Sequence, residues 1–260
     1  MRPHPSLTIQ EVDFNSVQSL TAALDGAEVV VSCLATLAIG GQNPLIDAAV
    51  AAGVKRFIPA EFGMDSRNPL SAKLPVCAPK VATREYLQAK SDANPTFTWT
   101  AVANGMFLDW CLQVGIIVDL RKHTAVLYNG GDVRFSSTLL SDIARAVLGI
   151  IAHQDETANR LVYIQSALIS QKQLIQYAKE KDGKAWDTVV KSTEEVRQEG
   201  LAELAKGTQE AAAAGMLAFS ICGMWDPDYG CDFSSHLDNE LLGIKGLGEG
   251  ELRALVESFL

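Results

Sequence analysis

The chain has 260 residues, of which 48% are hydrophobic and 20% are charged, and its formal net charge is −9. This length allows one large domain or a domain with a smaller lobe, and the composition is typical of a packed core rather than of a disordered chain. Binding to nucleic-acid phosphates requires a concentrated basic face. The acidic balance without a basic run therefore makes nucleic acid an unexpected partner.

The cysteines are odd in number and form no C-x-x-C pair, so neither a disulfide framework nor a zinc knuckle is predicted; they are Cys33, Cys77, Cys111, Cys222 and Cys231. The four histidines are dispersed without metal-ligand spacing, and no metal site is expected. Residues 1–5 are not followed by an apolar segment, so a secretory signal is not predicted. The apolar run at 29–39 is shorter than the ~20 residues of a membrane span. We expect a soluble, cytoplasmic protein.

Strand and helix patterns alternate through the first hundred residues. Apolar and polar residues alternate at 7–14 as in a strand, and a helix that begins near residue 17 is ended by Gly26. In chain order the pattern then predicts a buried strand at 28–34, a helix at 43–53, a strand at 54–59, a helix at 79–90 and a strand at 96–102. Strands separated by helices of this length indicate right-handed βαβ units and a parallel sheet.

The regular alternation of strand and helix patterns ends after about residue 115. Two short strand patterns, 124–127 and 133–135, flank a turn signal at 129–132 and predict a hairpin. A helix at 141–151 and a strand at 161–165 follow, and the pairs Ser170 with Gln173 and Ser192 with Glu195 predict two capping boxes. The predicted fold class is α/β, a Rossmann-like parallel sheet over residues 1–115 with a smaller, mostly helical substrate lobe over 116–260.

Ligands of open parallel sheets bind beyond the carboxyl ends of the strands, where the following helices also begin. The predicted strand ends are 32–36, 60–63 and 104–107. We therefore expect these three segments to form the site.

Two alternative catalytic sets lie on the helix at 79–90. Tyr86 and Lys90 have the Y-x-x-x-K spacing, and Lys80 lies in the first turn. Lys90 lies about 15 Å further from the ligand edge than Lys80, and Tyr86 lies roughly 120° away from Lys80 around the helix axis. The two sets cannot both line the same site. The position of Lys80 in the first turn, next to the ligand edge, favours Lys80. A solvated surface lysine is the alternative for Lys80, and an amphipathic helix face is the alternative for the other pair.

The sequence 54–63, the helix that opens with Lys80, and the strand 98–100 that runs into Asn104 and Phe107 resemble the NmrA-like and isoflavone-reductase-like family of atypical short-chain dehydrogenases. The similarity extends from about residue 7 to residue 165 and includes the turn at 129–132. It implies an NAD(P)-binding Rossmann-like domain, NADP as cofactor and a small aromatic or enone-like substrate.

The resemblance also implies roles for individual residues. Lys80 would contact the nicotinamide ribose and act as general acid and base, which a desolvated lysine can do. The cofactor-binding residues that the family pattern implies are Cys33, Leu34, Ala35, Ala60, Glu61, Phe62, Lys80, Asn104, Gly105 and Phe107.

One departure from the family concerns the G-x-x-G-x-x-G loop that holds the cofactor pyrophosphate. The sequence opens at what resembles the family's third strand, so we expect this loop and the arginine for the 2′-phosphate to be missing and NADP binding to be weak or absent. The glycines at 243–250 do not replace the loop, because their spacing is wrong and no strand pattern precedes them.

Three functional hypotheses are compatible with the sequence. The first is an NADP-dependent reductase in which Lys80 relays a proton. The second is a non-catalytic NmrA-like regulator that senses a dinucleotide or binds a protein partner. The third is an incomplete, inactive product, because the apolar strand at 29–34 would lack a neighbouring strand and be prone to aggregate.

Overall fold

A computed structural model describes residues 6–260, so the sequence expectation for residues 1–5 lies outside the described part. The strands are β1 Val29–Val31, β2 Arg56–Ile58, β3 Thr98–Ala103, β4 Met106–Phe107, β5 Thr124–Tyr128, β6 Phe135–Thr138, β7 Arg160–Tyr163, β8 Ala167–Ile169 and β9 Asp187–Lys191. The α-helices are α1 Val17–Ala23, α2 Asn43–Ala51, α3 Ala78–Ala93, α4 Leu108–Gln113, α5 Leu140–Ala152, α6 Gln154–Thr157, α7 Gln171–Asp182, α8 Thr193–Leu204, α9 Gln209–Trp225 and α10 Glu249–Glu257. No helix in this part of the chain has the length and apolar character needed to cross a bilayer.

The main sheet is parallel and has the order β1-β2-β3-β7. Val31 lies beside Ile58 and Arg56 lies beside Thr98, so the first three strands end at the same edge. This confirms the predicted α/β class with a parallel sheet.

Both faces of this sheet are buried because successive side chains of a strand point to opposite sides. Phe57 and Ala101 belong to one apolar cluster, to which α2 and α3 contribute. Ile58 and Val102, the next residue of each strand, belong to a second cluster with Ile143 of α5. Helices therefore cover the sheet on both sides, which explains the continuous apolar runs in the sequence.

The strand predicted at residues 7–14 is wrong. Residues 7–13 have no regular structure, and Leu7 and Ile9 are 58% and 81% exposed. A strand needs a neighbour for its backbone N–H and C=O groups, and β1 pairs only with β2 in the sheet that the described residues form. Alternation alone therefore did not suffice to make a strand here.

The predicted hairpin around residues 129–132 is also wrong. β5 pairs in parallel with β9, whereas β6 pairs with β4 and β8. The turn does form, but Nδ2 of Asn129 donates to Oγ1 of Thr193 and to the Trp225 carbonyl, both at 3.0 Å. These bonds tie the turn to α8 and α9, so its two flanking strands enter different sheets.

The second half of the chain contributes to the main sheet as well. β7 pairs with β3 from Thr100 opposite Arg160 to Ala103 opposite Tyr163. The strand predicted at 161–165 thus completes the parallel sheet, and the boundary near residue 115 stays a prediction. Of the two capping boxes, the one formed by Ser192 and Glu195 is present in full, while Ser170 accepts a bond from the Gln173 backbone.

The two halves of the chain lie close together at Gly105, which has a φ of +62°. A Cβ on this residue would lie 1.9 Å from the carbonyl oxygen of Ser136, on β6. Only glycine leaves room for this contact, so the end of β3 can lie directly against β6.

We predict that Gly105→Ala lowers the free energy of unfolding by about 3 kcal/mol or more, because backbone overlap adds to the strain of a positive φ. Gly130→Ala is the matched control, since Gly130 has a φ of +84° but nothing within 4 Å of its Cβ position. The control should cost only about 1–2 kcal/mol. Denaturant unfolding measures both values, and equal losses would contradict the steric argument.

Candidate active site

A cavity of about 600 Å³ lies at the carboxyl ends of β1, β2 and β3. Residues 33–37 follow β1, residues 60–64 follow β2 and residues 105–107 follow β3, and side chains from all three segments line it. The predicted convergence of the three strand ends is therefore present. Open parallel sheets bind their ligands in a pocket at this edge.

Lys80 supplies the cationic group of the cavity. It lies in the first turn of α3, is 6% exposed, and its Nζ donates to the main-chain carbonyl oxygen of Glu61. Lysine is rarely this buried unless its ammonium has a partner. Here one partner is a neutral carbonyl, which leaves the other two N–H groups of an ammonium for further contacts.

Gly63 keeps the space beside this ammonium open. A Cβ at this position would lie 3.1 Å from Nζ of Lys80 and 3.6 Å from the Glu61 carbonyl oxygen. A side chain at this position would therefore make the Lys80 ammonium shift by a few tenths of an ångström.

Nine of the ten residues predicted to form the site lie on the cavity wall. The tenth, Asn104, is fully buried behind the wall, where its backbone N–H donates to the Gly63 carbonyl. The structure thus brings these residues together, and their roles in binding and catalysis stay predictions.

The Y-x-x-x-K pair lies away from the cavity wall. Oη of Tyr86 donates to Oδ1 of Asp47 at 2.7 Å, and Nζ of Lys90 lies 2.6 Å from the same oxygen. Burial, followed by the hydrogen bond to Asp47, raises the pKa of Tyr86 above its ordinary value. A tyrosine that acts as an acid near neutral pH needs a lowered pKa. The pair therefore joins α2 to α3 and has no geometry for proton transfer in the cavity.

The cavity wall formed by α9 is the part that the sequence reasoning missed. The α9 stripe is Ala213, Met216, Leu217, Ser220 and Met224. The side chains of Trp110, Cys111 and Leu140 complete this side. The steps of three and four residues along α9 were the available signal, but the same spacing is typical of any packed helix.

Two buried thiols near the cavity are unsuited to nucleophilic chemistry. Burial raises the pKa of Cys77 to about 11 and that of Cys111 to about 12. Both remain protonated at neutral pH, and only a thiolate attacks readily. Cys33, by contrast, is exposed where it lines the cavity mouth.

We predict that iodoacetamide at pH 8 modifies Cys33 and leaves Cys77 and Cys111 unmodified in the folded protein, because these two are buried thiols rather than thiolates. Peptide mass spectrometry after a short exposure measures the labelling. In denaturant all three should react, which controls for intrinsic reactivity. Rapid labelling of Cys111 in the native state would contradict the burial.

Unpartnered polar atoms concentrate at the strand ends. Among the described residues, five buried side-chain N or O atoms have no hydrogen-bond partner. Three of them are oxygens that follow β1, β2 and β3 in turn: Oγ of Ser32, Oε1 of Glu61 and Oδ1 of Asn104. Buried polar groups are normally satisfied in folded proteins, so an orphan group calls for a ligand, a water or an ion.

A model of the NmrA-like family matches residues 4–214 of the chain. The oxidoreductase poxI of Penicillium oxalicum is 33% identical over 199 residues, which is 72% of this chain and 62% of that protein. The oxidoreductase aprR of Aspergillus flavus is 32% identical over 204 residues, 77% of this chain and 68% of that protein. The chain thus spans less than two thirds of the Penicillium protein.

Solved structures share the fold. The complex of leucoanthocyanidin reductase with NADPH from Vitis vinifera superposes with a TM-score of 0.72 over 95% of this chain and 80% of that one, at 16% identity. A structural match at so low a sequence identity supports a shared fold and carries no statement about activity. The Rossmann-like α/β prediction is therefore confirmed.

Proposed function

The chain belongs to the NmrA-like, isoflavone-reductase-like family, and from that premise we propose that it is an NADP-dependent reductase of small aromatic or enone-like molecules. The observation that carries the proposal is the buried Lys80 ammonium in an otherwise largely apolar cavity at the ends of the parallel strands. The oxidoreductases from Penicillium and Aspergillus support the reaction class.

The cavity residues fit the nicotinamide end of such a cofactor. The Lys80 ammonium has N–H groups left for further contacts beside Gly63, and the largely apolar wall offers contact surface to a planar ring. The glycine loop that the resemblance assigns to the pyrophosphate is not among the cavity residues. The strength of dinucleotide binding is consequently the first quantity to measure.

NADPH, when bound, supplies the hydride. The protein's own part is to orient the substrate and to supply a proton. Nζ of Lys80, held in place by the Glu61 carbonyl, can deliver a proton to an oxygen or carbon of the substrate. Trp110 and Met216 offer flat and adaptable apolar surface on the opposite wall, which excludes water from an aromatic ring.

Calorimetric titration of the purified chain with NADPH tests the proposal. Dissociation constants in the micromolar range or below would support it, and no binding at millimolar cofactor would contradict it. Because Cys33 lines the cavity, NADPH should also slow its alkylation by iodoacetamide. Binding without turnover on a panel of enones and quinones would instead favour a dinucleotide-sensing regulator.

We predict that Lys80→Met lowers kcat at least about a hundredfold, since a positioned general acid contributes roughly 10²–10⁴-fold. Lys90→Met is the matched control on the same helix, and its kcat should stay within about twofold because Lys90 contacts Asp47 and Tyr86 outside the cavity. NADPH oxidation followed by its near-ultraviolet absorbance measures both. A large loss of kcat in Lys90→Met with little change in Lys80→Met would instead favour the Tyr86 and Lys90 pair as the catalytic set.

A further inference from the structure

Strand β9 is an exposed sheet edge that the proposed function does not explain. In the part of the chain that the structure describes, β9 pairs with β5 on one side and with no strand on the other. Val189 and Val190 point to opposite faces, and they are 62% and 66% exposed. The free N–H and C=O groups of such an edge readily pair with another strand. An exposed apolar edge therefore indicates a binding surface.

The pairing of β9 with β5 shows which main-chain groups of β9 are free. The Asp187 N–H donates to the His123 carbonyl, so Asp187 and every second residue after it direct their N–H and C=O groups toward β5. Thr188 and Val190 point the other way. Within residues 6–260, their outward N–H and C=O groups have no hydrogen-bond partner. β9 thus offers both donors and acceptors to a further strand.

The helix layer over β5 does not extend over β9. Leu127 of β5 and Val190 of β9 are paired in register and point to the same face, yet Leu127 is buried and Val190 is exposed. On this face, Ile175 of α7 lines a groove together with Leu127 and Thr188. The space beside β9 is therefore open to a further strand.

The sequence of β9 is complementary to itself when two copies run antiparallel. β9 has an acidic residue, Asp187, at one end and a basic residue, Lys191, at the other. In the register that places Val189 opposite Val189 of a second copy, Asp187 lies opposite Lys191. Thr188 then lies opposite Val190, and these outward-pointing residues form the hydrogen-bonded pairs of the antiparallel ladder. Charge and hydrogen-bond direction therefore select the same register.

The charges at the two ends of β9 are available for this contact. Nζ of Lys191 lies 2.6 Å from Oε1 of Glu199, and an ammonium has three N–H donors, so it can bind a second carboxylate. Asp187 is exposed to solvent. Because each chain has a net charge of −9, two copies repel each other unless opposite charges meet locally. The ends of β9 provide such a local match.

We propose that β9 is a dimerisation edge, at which two copies of the chain pair their β9 strands antiparallel about a two-fold axis at Val189. The dimer has one continuous sheet in the order β5-β9-β9-β5, held by the hydrogen bonds of Thr188 and Val190 and by an Asp187–Lys191 ion pair at each end. A two-fold contact uses the same surface on both copies and closes at two. This assembly does not depend on the binding of NADPH.

Sedimentation of the purified chain from low micromolar to several hundred micromolar concentration is the first test. Five residues on each side make a small interface, so the dissociation constant should be about 10–100 µM. Val190→Pro removes an outward N–H and no bond to β5, and proline is accepted at such edge positions. It should weaken the dimer at least about tenfold, because two hydrogen bonds are lost by symmetry. Val190→Thr keeps the N–H and the branched side chain and is the matched control.

Charge reversal tests the register. Asp187→Lys and Lys191→Asp each place like charges opposite one another across the axis, and each should weaken the dimer at least about threefold. The double variant brings opposite charges together again and should restore dimerisation. Lys55→Asp is the matched control, since it makes the same charge change and also breaks one exposed ion pair, with Glu28, but lies in the main sheet.

Disulfide trapping tests the position of the axis. The two introduced thiols of Val189→Cys would lie on Cα atoms about 4.5 Å apart, which a disulfide can bridge. Val126→Cys is the matched control on the same face of the neighbouring strand, where the two Cα atoms would be about 14 Å apart. After mild oxidation, Val189→Cys should give a covalent dimer on non-reducing gels, and Val126→Cys should give no more of it than the wild type with its native cysteines.

The proposal is overturned if the wild type remains monomeric at several hundred micromolar. It is also overturned if a dimer forms but Val190→Pro and both single charge reversals leave its dissociation constant unchanged, because another surface would then hold it together. Thermal melting of each variant controls for folding. If Val190→Pro melts well below the wild type, the charge reversals and their double variant decide the outcome.

Discussion

The parallel register of β1, β2 and β3 is the constraint on which the site depends. Beyond the strands themselves, the Ser32 N–H donates to the Ile58 carbonyl and the Asn104 N–H to the Gly63 carbonyl. Backbone hydrogen bonds thus extend the sheet up to the cavity. Since main-chain hydrogen bonds align the strand ends, the side chains there are not needed for that alignment and can face a ligand.

The same arrangement has an energetic cost. A buried ammonium on Lys80 and an unpartnered oxygen on Glu61 both oppose folding, because burial removes their hydration without full replacement. The sheet offsets this cost by burying apolar side chains on both faces, such as Phe57 on one and Ile58 on the other. Polar groups that lack full hydrogen bonding and collect at one edge of an otherwise consistent fold are typical of functional sites.

Features that are determined by neighbouring residues in the sequence could be predicted, and features that depend on tertiary partners could not. Buried parallel strands and the position of Lys80 followed from periodicity and helix geometry, which also separated Lys80 from Tyr86 and Lys90. The strand at 7–14 and the hairpin at 129–132 failed because tertiary partners decide pairing, as the bonds from Asn129 to Thr193 show. The α9 stripe was missed because its placement depends on packing against α8. A Cβ on Gly200 of α8 would lie 2.9 Å from Cβ of Ala218 on α9, so the two helices are in close contact.

The two sides of the cavity are therefore encoded differently. The sheet side carries Glu61 and the Lys80 ammonium and is fixed by backbone pairing, so its chemistry tolerates little change in geometry. The opposite side is apolar and is carried by α9, a helix held by side-chain packing, where substitutions such as one at Met216 alter shape without moving Lys80. Under the proposed function, such a division would let one edge that donates a proton serve substrates of different shape, because shape and reactivity would be set by separate elements of the fold.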